Sequence, residues 1–274
     1  FVDTEKDGVN ICFNYFKKKY NKNVKAAIIV DQIGIPVEIE KFIKFCKLKK
    51  ITLIHDIACS FGSLYKKKQS GINSQISITS FHARKPITSA EGGAVILNDQ
   101  KISNKFKSLK NQGVNQKSFD RVMGNFKQKE MFAGVGFNMR FSDIQASLLI
   151  NQIQRLKKNI KKKYKIFEYY KKNLNFKNFK FPKISKDATP NLQSVLIIFT
   201  KAKMRNMAYK KLLTNGVEVK KSISSCFNHK YYYKKASVLK NSFSINQKSL
   251  LIPMHLDLTK QELKKICKIL NNLA

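Results

Sequence analysis

The first hundred residues alternate between short segments typical of strands, of which 26–30 is a continuous apolar run, and a longer segment whose apolar residues recur at helical spacing. The predicted strands cover 26–30, 51–54, 76–81 and 93–97, and the predicted helix covers 37–49. Continuous apolar runs of about four to eight residues are typical of buried strands. This order of strands and helix predicts an α/β fold with a mostly parallel sheet, in which ligands bind beyond the carboxyl ends of the strands. Asp56 follows the second predicted strand and is therefore placed at such an end.

The rest of the chain predicts a long helix followed by a smaller α+β unit. Four glycines in 99–141 indicate loops and turns there. Ser142 and Gln145 have the spacing of a capping box, which satisfies free N–H groups at a helix start, so a long helix is predicted from Ser142. Further predicted elements are strands at 192–200 and 217–219, a helix at 204–213, and a last helix that starts at Thr259 with Glu262 as its capping partner.

The formal net charge is +37, which raises the hypothesis of a nucleic-acid-binding protein. Arginine, whose planar fork suits bases and phosphates, accounts for only five of the 54 basic residues. The lysines are also spread along the whole chain. We therefore interpret the charge as a solvated lysine surface that attracts polyanions weakly and predict no specific nucleic-acid partner. A basic nucleic-acid-binding protein is kept as the alternative from another class.

The five cysteines and four histidines are scattered and show neither CxxC pairs nor metal-ligand spacing. No metal site is therefore predicted. An odd number of separated cysteines in a chain without a recognisable leader indicates reduced thiols in the cytoplasm. No uninterrupted apolar run of about 18 residues occurs, so no membrane span is predicted.

Candidate chemistry is concentrated between Ser80 and Gly93. A predicted strand ends near Ser80, the chain turns past Lys85, and Glu91-Gly92-Gly93 leads into the next strand. A desolvated lysine amine can form a Schiff base with an aldehyde cofactor, a carboxylate such as Asp56 can pair with a pyridinium nitrogen, and a serine hydroxyl can donate to a phosphate. Taken singly, each residue type is more often a surface lysine, a cap or part of a tight turn.

Five segments resemble, in the same order, motifs of the DegT/StrS family of pyridoxal-phosphate-dependent sugar aminotransferases. They are 55–62, which resembles E-D-A-A-x-x-x-G; 80–85, S-F-H-x-x-K; 88–93, T-x-G-E-G-G; 136–146, G-x-N-x-R-x-S-D-x-Q-A; and 251–255, L-P-M-H. Because they span nearly the whole chain, the resemblance is far more specific than any one motif. It implies an α/β, fold-type I aminotransferase-like fold with a mostly parallel sheet. The remainder of the large cofactor-binding domain is expected at 1–160 and a small C-terminal α+β domain at 161–274.

The resemblance also implies a role for each of five positions. Lys85 would hold pyridoxal 5'-phosphate as a Schiff base and then move the proton at the substrate carbon. Asp56 would pair with the pyridine nitrogen, and Ser80 would bind the cofactor phosphate. Asn138 would reach a phosphate across the interface of a homodimer with shared active sites. Cys59 stands where many members carry glutamine or histidine near the phenolic oxygen of the cofactor, and its alternative interpretation is a small buried thiol.

The implied reaction is transfer of an amino group, with glutamate as the expected donor, to a keto group on a nucleotide-linked deoxysugar. The sequence of 80–93 is most similar to that of family members that resemble perosamine synthetase. Such members take part in the biosynthesis of surface polysaccharide such as O-antigen. A dehydratase branch of the same fold carries histidine at the Schiff-base position, and Lys85 argues against it. An inactive remnant or a partner subunit of such an enzyme is the alternative within the family.

Three departures from the family pattern stand out. His55 replaces the glutamate that usually precedes the key aspartate, and Ala90 stands where glycine is usual. Phe1-Val2-Asp3 resembles a strand from the middle of the family's large domain, so the preceding Gly-Thr or Gly-Ser turn and the aromatic ring that stacks on the cofactor are not found. We therefore expect a chain shortened at its start, with exposed apolar surface and weak cofactor binding by itself.

Overall fold

The computed structural model of the protein describes residues 1–114, 132, 134–223, 225–226, 229–232 and 239–273. The helices in these residues are α1 (Phe13–Lys19), α2 (Ile39–Leu48), α3 (Gln100–Lys110), α4 (Asp143–Asn173), α5 (Ala202–Thr214), α6 (Lys240–Lys248) and α7 (Lys260–Asn271). The strands are β1 (Ala26–Val30), β2 (Thr52–Asp56), β3 (Leu64–Tyr65), β4 (Lys68–Gln69), β5 (Ile76–Ser80), β6 (Gly93–Leu97), β7 (Phe179–Lys180), β8 (Ala188–Thr189), β9 (Val195–Phe199), β10 (Lys220–Lys221) and β11 (Ser249–Ile252).

The four strands predicted in the first half form one sheet with the order β1-β2-β5-β6. The β1–β2 and β2–β5 pairs are parallel, and β5–β6 is antiparallel. This arrangement confirms the α/β class with a mostly parallel sheet. Helix α2 returns the chain from β1 to β2 and buries Ile39, Phe42 and Cys46 against the sheet. Strand β2 ends at Asp56, two residues beyond the end of the strand predicted at 51–54.

The stretch 99–141 was expected to contain loops and turns, and for its first part this prediction is wrong. Helix α3 occupies Gln100–Lys110 and starts at Asp99, whose side chain accepts hydrogen bonds from Lys101 N and Ile102 N. Ile102, Phe106 and Leu109 recur at helical spacing along this helix, so an apolar stripe was present in the sequence, but the glycines of the stretch favoured a prediction of loops. Residues 115–131 and 133, which include Gly124, lie outside the described residues.

Both predicted capping boxes are confirmed. The Ser142 hydroxyl accepts from Gln145 N, and the Gln145 side chain accepts from Ser142 N, at the start of the 31-residue helix α4. Thr259 and Glu262 make the equivalent pair at the start of α7. Reciprocal caps of this kind satisfy two backbone N–H groups that have no partner inside the helix, which fixes where the helix begins.

The second half contains a separate antiparallel sheet with the order β10-β11-β9-β7. Every residue of β9 is buried, as expected for a strand covered on both faces. The strand predicted at 217–219 is wrong, because the ladder forms at Lys220–Lys221 instead; Val217 and Val219 are buried through side-chain packing. The predicted domain boundary at 160/161 falls inside α4 and stays a prediction.

The two halves are packed against each other through a small sheet and a shared apolar cluster. Strand β8, from the connector between the halves, pairs with β3 in the first half. One core cluster joins Val9, Ile33 and Ile35 to Leu196 and Ile198 of β9. This packing brings the segment just before β9 next to the loops that follow β2 and β5.

Across the part of the chain that the structure describes, no helix combines the length and apolar character needed to cross a membrane.

Candidate active site

The carboxyl ends of β2 and β5 lie side by side and carry Asp56 and Ser80. In the parallel ladder Asp56 is paired with Ile78, so Ser80 lies two residues beyond it on the neighbouring strand. Because side chains two residues apart point to the same face, both polar groups are placed at one edge of the sheet. The carboxyl-terminal edge of a parallel sheet is where ligands of α/β proteins bind.

The loop after β2 turns back at once and presents Cys59. Asp56 Oδ1 accepts a hydrogen bond from Ala58 N at 2.9 Å, and Ser60 N donates to Ile57 O at 3.0 Å. These two bonds fix both the Asp56 carboxylate and the course of the backbone through Cys59. Both side chains are half-buried.

The turn after β5 carries Lys85. Phe81 is held on both sides, since its N–H donates to Gly92 O and its carbonyl accepts from Ser89 N. Lys85 N then donates to His82 O at 2.9 Å, which closes a tight turn. Ser80 Oγ accepts from His82 N at 3.2 Å, so the hydroxyl is oriented by the same turn.

The two loops meet at Lys85 and Cys59. The Lys85 amine lies 3.5 Å from Cys59 Sγ, within hydrogen-bond distance for sulfur, and the lysine is half-buried. Four of the five predicted residues, Asp56, Cys59, Ser80 and Lys85, are therefore carried by two adjacent strand ends and their loops. Asn138 is exposed on a different segment, where it forms an isolated bridge with Asn111.

The paired glycines are required by close backbone approaches. A Cβ on Gly93 would lie 2.8 Å from the carbonyl oxygen of Thr79, and one on Gly92 would lie 2.6 Å from the Phe141 ring. Ala90, which stands in place of a glycine in the family pattern, has a left-handed φ of 70°. A residue with a Cβ pays about 1–2 kcal/mol for this conformation, so the departure noted in the sequence carries a backbone cost.

Beneath Asp56 lies a buried polar cluster centred on Asp31, which is fully buried. The Asp31 carboxylate accepts hydrogen bonds from Val37 N, His55 Nε2, Ser60 Oγ and Ser70 Oγ. Since a carboxylate only accepts, His55 Nε2 must carry a proton; Nδ1 lies 3.2 Å from Ser74 Oγ. A glutamate at position 55 would place a second carboxylate against Asp31, whereas histidine supplies a donor. The cluster therefore explains why histidine stands at position 55, where the family pattern has glutamate.

Helix α4 crosses over the loop that carries Cys59. A Cβ on Gly62 would lie 2.8 Å from Ile160 Cδ1, so the helix packs directly on this glycine. One turn later the Tyr164 hydroxyl donates to Pro190 O at 2.8 Å. Burial raises the pKa of Tyr164, which keeps the hydroxyl protonated and able to donate at neutral pH.

A separate groove of about 680 Å³ runs along β1. It is lined by apolar residues such as Phe1, Ala27 and Ile28, and none of the five predicted site residues lines it. The candidate chemistry is therefore at the carboxyl edge of β2 and β5 and not in this groove.

Residues 1–271 match the profile of the DegT/DnrJ/EryC1/StrS aminotransferase family. The chain belongs to this family. A match over nearly all of the chain confirms the resemblance that the five motifs indicated.

Individual proteins of known activity or structure are also similar to this chain. The UDP-4-amino-4,6-dideoxy-N-acetyl-beta-L-altrosamine transaminase of Campylobacter jejuni serotype O:2 is 29% identical, and the alignment covers 96% of this chain and 70% of the relative. GDP-perosamine synthase of Escherichia coli O157:H7 is 26% identical over 99% of this chain and 71% of the relative. Among solved structures, the Helicobacter pylori aminotransferase PseC, involved in the biosynthesis of pseudoaminic acid, superposes with a TM-score of 0.87 at 24% identity, covering 98% of this chain and 72% of PseC.

Proposed function

We propose that this protein is a pyridoxal-phosphate-dependent aminotransferase that acts on a keto group of a nucleotide-linked deoxysugar. The family is one of aminotransferases, and the two sequence relatives are named for nucleotide-linked amino sugars. The observation that carries the proposal is the position of Lys85. Its amine meets Cys59 at 3.5 Å, at the sheet edge that also carries Asp56 and Ser80.

The donor set at this edge fits an aldehyde cofactor with a pyridine nitrogen and a phosphate. Lys85 supplies a half-buried amine for the aldehyde carbon. Asp56 has one oxygen fixed by Ala58 N, and among the described residues its Oδ2 has no hydrogen-bond donor, which leaves it for a protonated ring nitrogen. Ser80 Oγ accepts from His82 N, so its own proton is available to a phosphate oxygen.

Each residue then has a chemical task. When bound, pyridoxal phosphate supplies an electron sink for the negative charge that develops at the carbon losing its proton. Lys85 would hold the cofactor through its amine, and the same amine, when free, would take the proton from the donor carbon and later deliver one to the sugar carbon. Asp56 would hold the ring nitrogen in its protonated form. Cys59 would orient the Lys85 amine.

The overall reaction exchanges the keto oxygen of the sugar for the amino group and a hydrogen of the donor. We propose glutamate as this donor, which leaves as 2-oxoglutarate. The net charge of +37 attracts the diphosphate of a nucleotide sugar, since a positive field raises the local concentration of an anionic substrate.

The test is an assay with nitrogen-15-labelled glutamate and UDP- or GDP-linked 4-keto-6-deoxyhexoses in the presence of pyridoxal phosphate. We expect the label in the sugar together with 2-oxoglutarate in equal amount, detected by mass spectrometry. A sugar product that has lost a hydroxyl group and carries no label would instead indicate a dehydratase and contradict the proposal.

We also propose that two copies form a dimer with shared active sites, the arrangement in which Asn138 reaches the partner's cofactor phosphate. The first half of α4 exposes Ile144 (76%) and Leu148 (51%) on one face. The preceding segment exposes Phe137 and Met139 on either side of Asn138. Exposed apolar side chains concentrated on neighbouring segments are typical of a protein interface.

The same surface adjoins the Lys85 turn. Gln145 Nε2, at the start of α4, donates to Glu91 O at 3.0 Å, and Phe141 packs on Gly92. A second copy docked here would therefore lie next to the site, which supports a shared site over an unrelated contact.

The dimer proposal predicts that Leu148→Lys converts the protein to a monomer, because a charge replaces an apolar side chain on this surface. Leu213→Lys is the matched control, since Leu213 is a leucine of similar exposure (42%) on α5. Sedimentation equilibrium should show half the mass for Leu148→Lys and the wild-type mass for the control. Equal masses for the wild type and both variants would contradict the proposal.

We place the reaction in the cytoplasm. All five cysteines are free thiols, including Cys59 at the candidate site. Free thiols are typical of proteins from reducing compartments. Surface-polysaccharide precursors such as those of O-antigen are the proposed destination of the aminated sugar.

A further inference from the structure

The segment 191–193, just before β9, contacts both loops of the candidate site. We infer that Asn191 and Gln193 are positioning residues that clasp the Cys59 loop and the Lys85 turn and so set the distance between the two side chains. The inference rests on the proposed function, because it assigns a role relative to the Lys85 cofactor site. Neither residue belongs to the five motifs that identify the family.

Asn191 fastens the loop after β2. Its side chain is buried, and Nδ2 donates to Cys59 O at 2.9 Å and to Phe61 O at 2.8 Å. Its backbone N–H donates to Ser63 Oγ at 2.9 Å. Asn191 thus donates the two protons of its side-chain amide and its backbone proton to one loop of five residues, from Cys59 to Ser63.

Gln193 fastens the turn after β5. Its Nε2 donates to Arg84 O at 3.3 Å, on the residue directly before Lys85. Its backbone N–H donates to Asn191 Oδ1 at 2.8 Å. A continuous chain of hydrogen bonds therefore runs from Cys59 O through Asn191 and Gln193 to Arg84 O. The two residues that meet at 3.5 Å are tied at their backbones by this clasp.

The backbone between the two residues is held in an unusual conformation. Leu192 has a left-handed φ of 57°, while its side chain is buried in the core of the second half. Such a conformation persists at a bulky residue only where the surroundings enforce it, and it concentrates at functional sites. It is this turn that lets two residues separated by one position reach two different loops.

The clasp also requires a glycine on the opposite side. A Cβ on Gly34 would lie 2.0 Å from Asn191 Oδ1, and the φ of Gly34 is 88°. The Gly34 carbonyl accepts from Ser63 Oγ, which in turn receives Asn191 N. Three separate stretches of the chain are therefore built around the Asn191 side chain, and the site depends on how the second half docks on the first.

The decisive variant is Asn191→Asp, which keeps the shape of the side chain but replaces two N–H donors by an oxygen that faces two carbonyls. Asn98→Asp is the control with the same donor pattern, at an exposed residue where Asn191 is buried. Asn98 Nδ2 also donates to two carbonyls, Ile72 O and Ser74 O, both at 2.8 Å. It follows β6, whose last residue pairs with Ile76 at the end of the sheet opposite to Ser80.

Two readouts report the positions of the two loops. The first is the dissociation constant of pyridoxal phosphate, from titration of its absorption spectrum. The second needs no cofactor: it is the rate at which iodoacetamide alkylates Cys59, measured by peptide mass spectrometry against the other four thiols. Urea unfolding of both variants separates a local change from a loss of global stability.

We expect Asn191→Asp to raise the dissociation constant and the Cys59 alkylation rate by about tenfold each, since a hydrogen-bonded contact of this kind is worth about a factor of ten. Asn98→Asp should leave both values within about twofold of wild type, even if it lowers the urea unfolding midpoint as much as Asn191→Asp does. Should Asn191→Asp not fold, Gln193→Ala decides, because it removes only the bond to Arg84 O; we then expect about a threefold weaker affinity for pyridoxal phosphate with an unchanged unfolding midpoint.

If Asn191→Asp folds and both readouts keep their wild-type values, the inference about Asn191 and Gln193 is wrong and the proposed function is unaffected. If Asn191→Asp does not fold, a folded Gln193→Ala with wild-type affinity for pyridoxal phosphate has the same meaning. If wild type bound pyridoxal phosphate elsewhere than at Lys85, or not at all, the proposed function would fail. The alkylation rate of Cys59 would still test the clasp in that case, because it is measured without the cofactor.

Discussion

Replacing Lys85 by alanine is expected to lower the rate of amine transfer from glutamate by at least about 10⁴-fold, since the residue is proposed both to hold the cofactor and to move the proton. The variant removes the amine that meets Cys59 and leaves the turn itself in place, because that turn is made by backbone bonds such as Lys85 N to His82 O. The measurement is release of 2-oxoglutarate in a single turnover with glutamate. The nucleotide sugar is not required for this half of the reaction.

The control for this prediction is Lys44→Ala. Lys44 is an exposed lysine on α2, so the variant removes the same charge and side chain outside the two loops of the candidate site. We expect the control to react at the wild-type rate. Retention of more than a hundredth of the wild-type rate in Lys85→Ala would mean that another group performs the proton transfer.

Replacing Asp31 by alanine is expected to lower the free energy of unfolding by about 3–5 kcal/mol, because it leaves several buried donors without an acceptor. The donors are Val37 N, His55 Nε2, Ser60 Oγ and Ser70 Oγ. The cavity left by the side chain adds to this loss. Urea unfolding followed by circular dichroism measures it.

The comparison variant is Asp99→Ala. Asp99 accepts from two backbone N–H groups, but it is a half-buried helix cap at the start of α3, whereas Asp31 is fully buried. Loss of such a cap costs about 1 kcal/mol. If Asp31→Ala and Asp99→Ala destabilised the protein equally, the buried cluster would not be the structural support that its hydrogen bonds indicate.

The Asp31 cluster also bears on the candidate site. It fixes His55 and Ser60, which are the neighbours of Asp56 and Cys59 in the sequence. The loop that presents Cys59 is therefore held at two points: Ser60 Oγ donates to Asp31, and Cys59 O accepts from Asn191 Nδ2. Because a displacement of about 1 Å at a reacting group can cost a factor of about 100, two independent supports of this loop have a direct consequence for catalysis.

The sequence predicted correctly those strands and helix starts that depend on interactions between residues close together in the chain. Strands β1 and β6 follow from short apolar runs, and the starts of α4 and α7 follow from capping boxes whose partners are three residues apart. Helix α3 escaped prediction because the glycines of 99–141 favoured loops, although Ile102, Phe106 and Leu109 recur at helical spacing. Strand β10 was misplaced because Val217 and Val219 are buried by packing and not by a ladder.

The candidate site divides in the same way. Asp56, Cys59, Ser80 and Lys85 could be proposed from the sequence because each lies in a family motif near a strand end. Asn191 could not, since its partners Cys59 and Phe61 lie 132 and 130 residues away in the chain. An asparagine after Pro190 in a polar connector has no local feature that marks it as buried. Only the docking of the two halves reveals its role.

The most direct test of the account is to locate the lysine that holds pyridoxal phosphate. Borohydride reduction of the protein in the presence of the cofactor makes the covalent link permanent, and peptide mapping then identifies the labelled residue. We predict that the label is concentrated on Lys85 even though lysines occur along the whole chain, because Lys85 lies on the turn that follows Ser80 and contacts the loop that follows Asp56. Label spread over exposed lysines in proportion to their accessibility, or concentrated on a different lysine, would contradict the assignment.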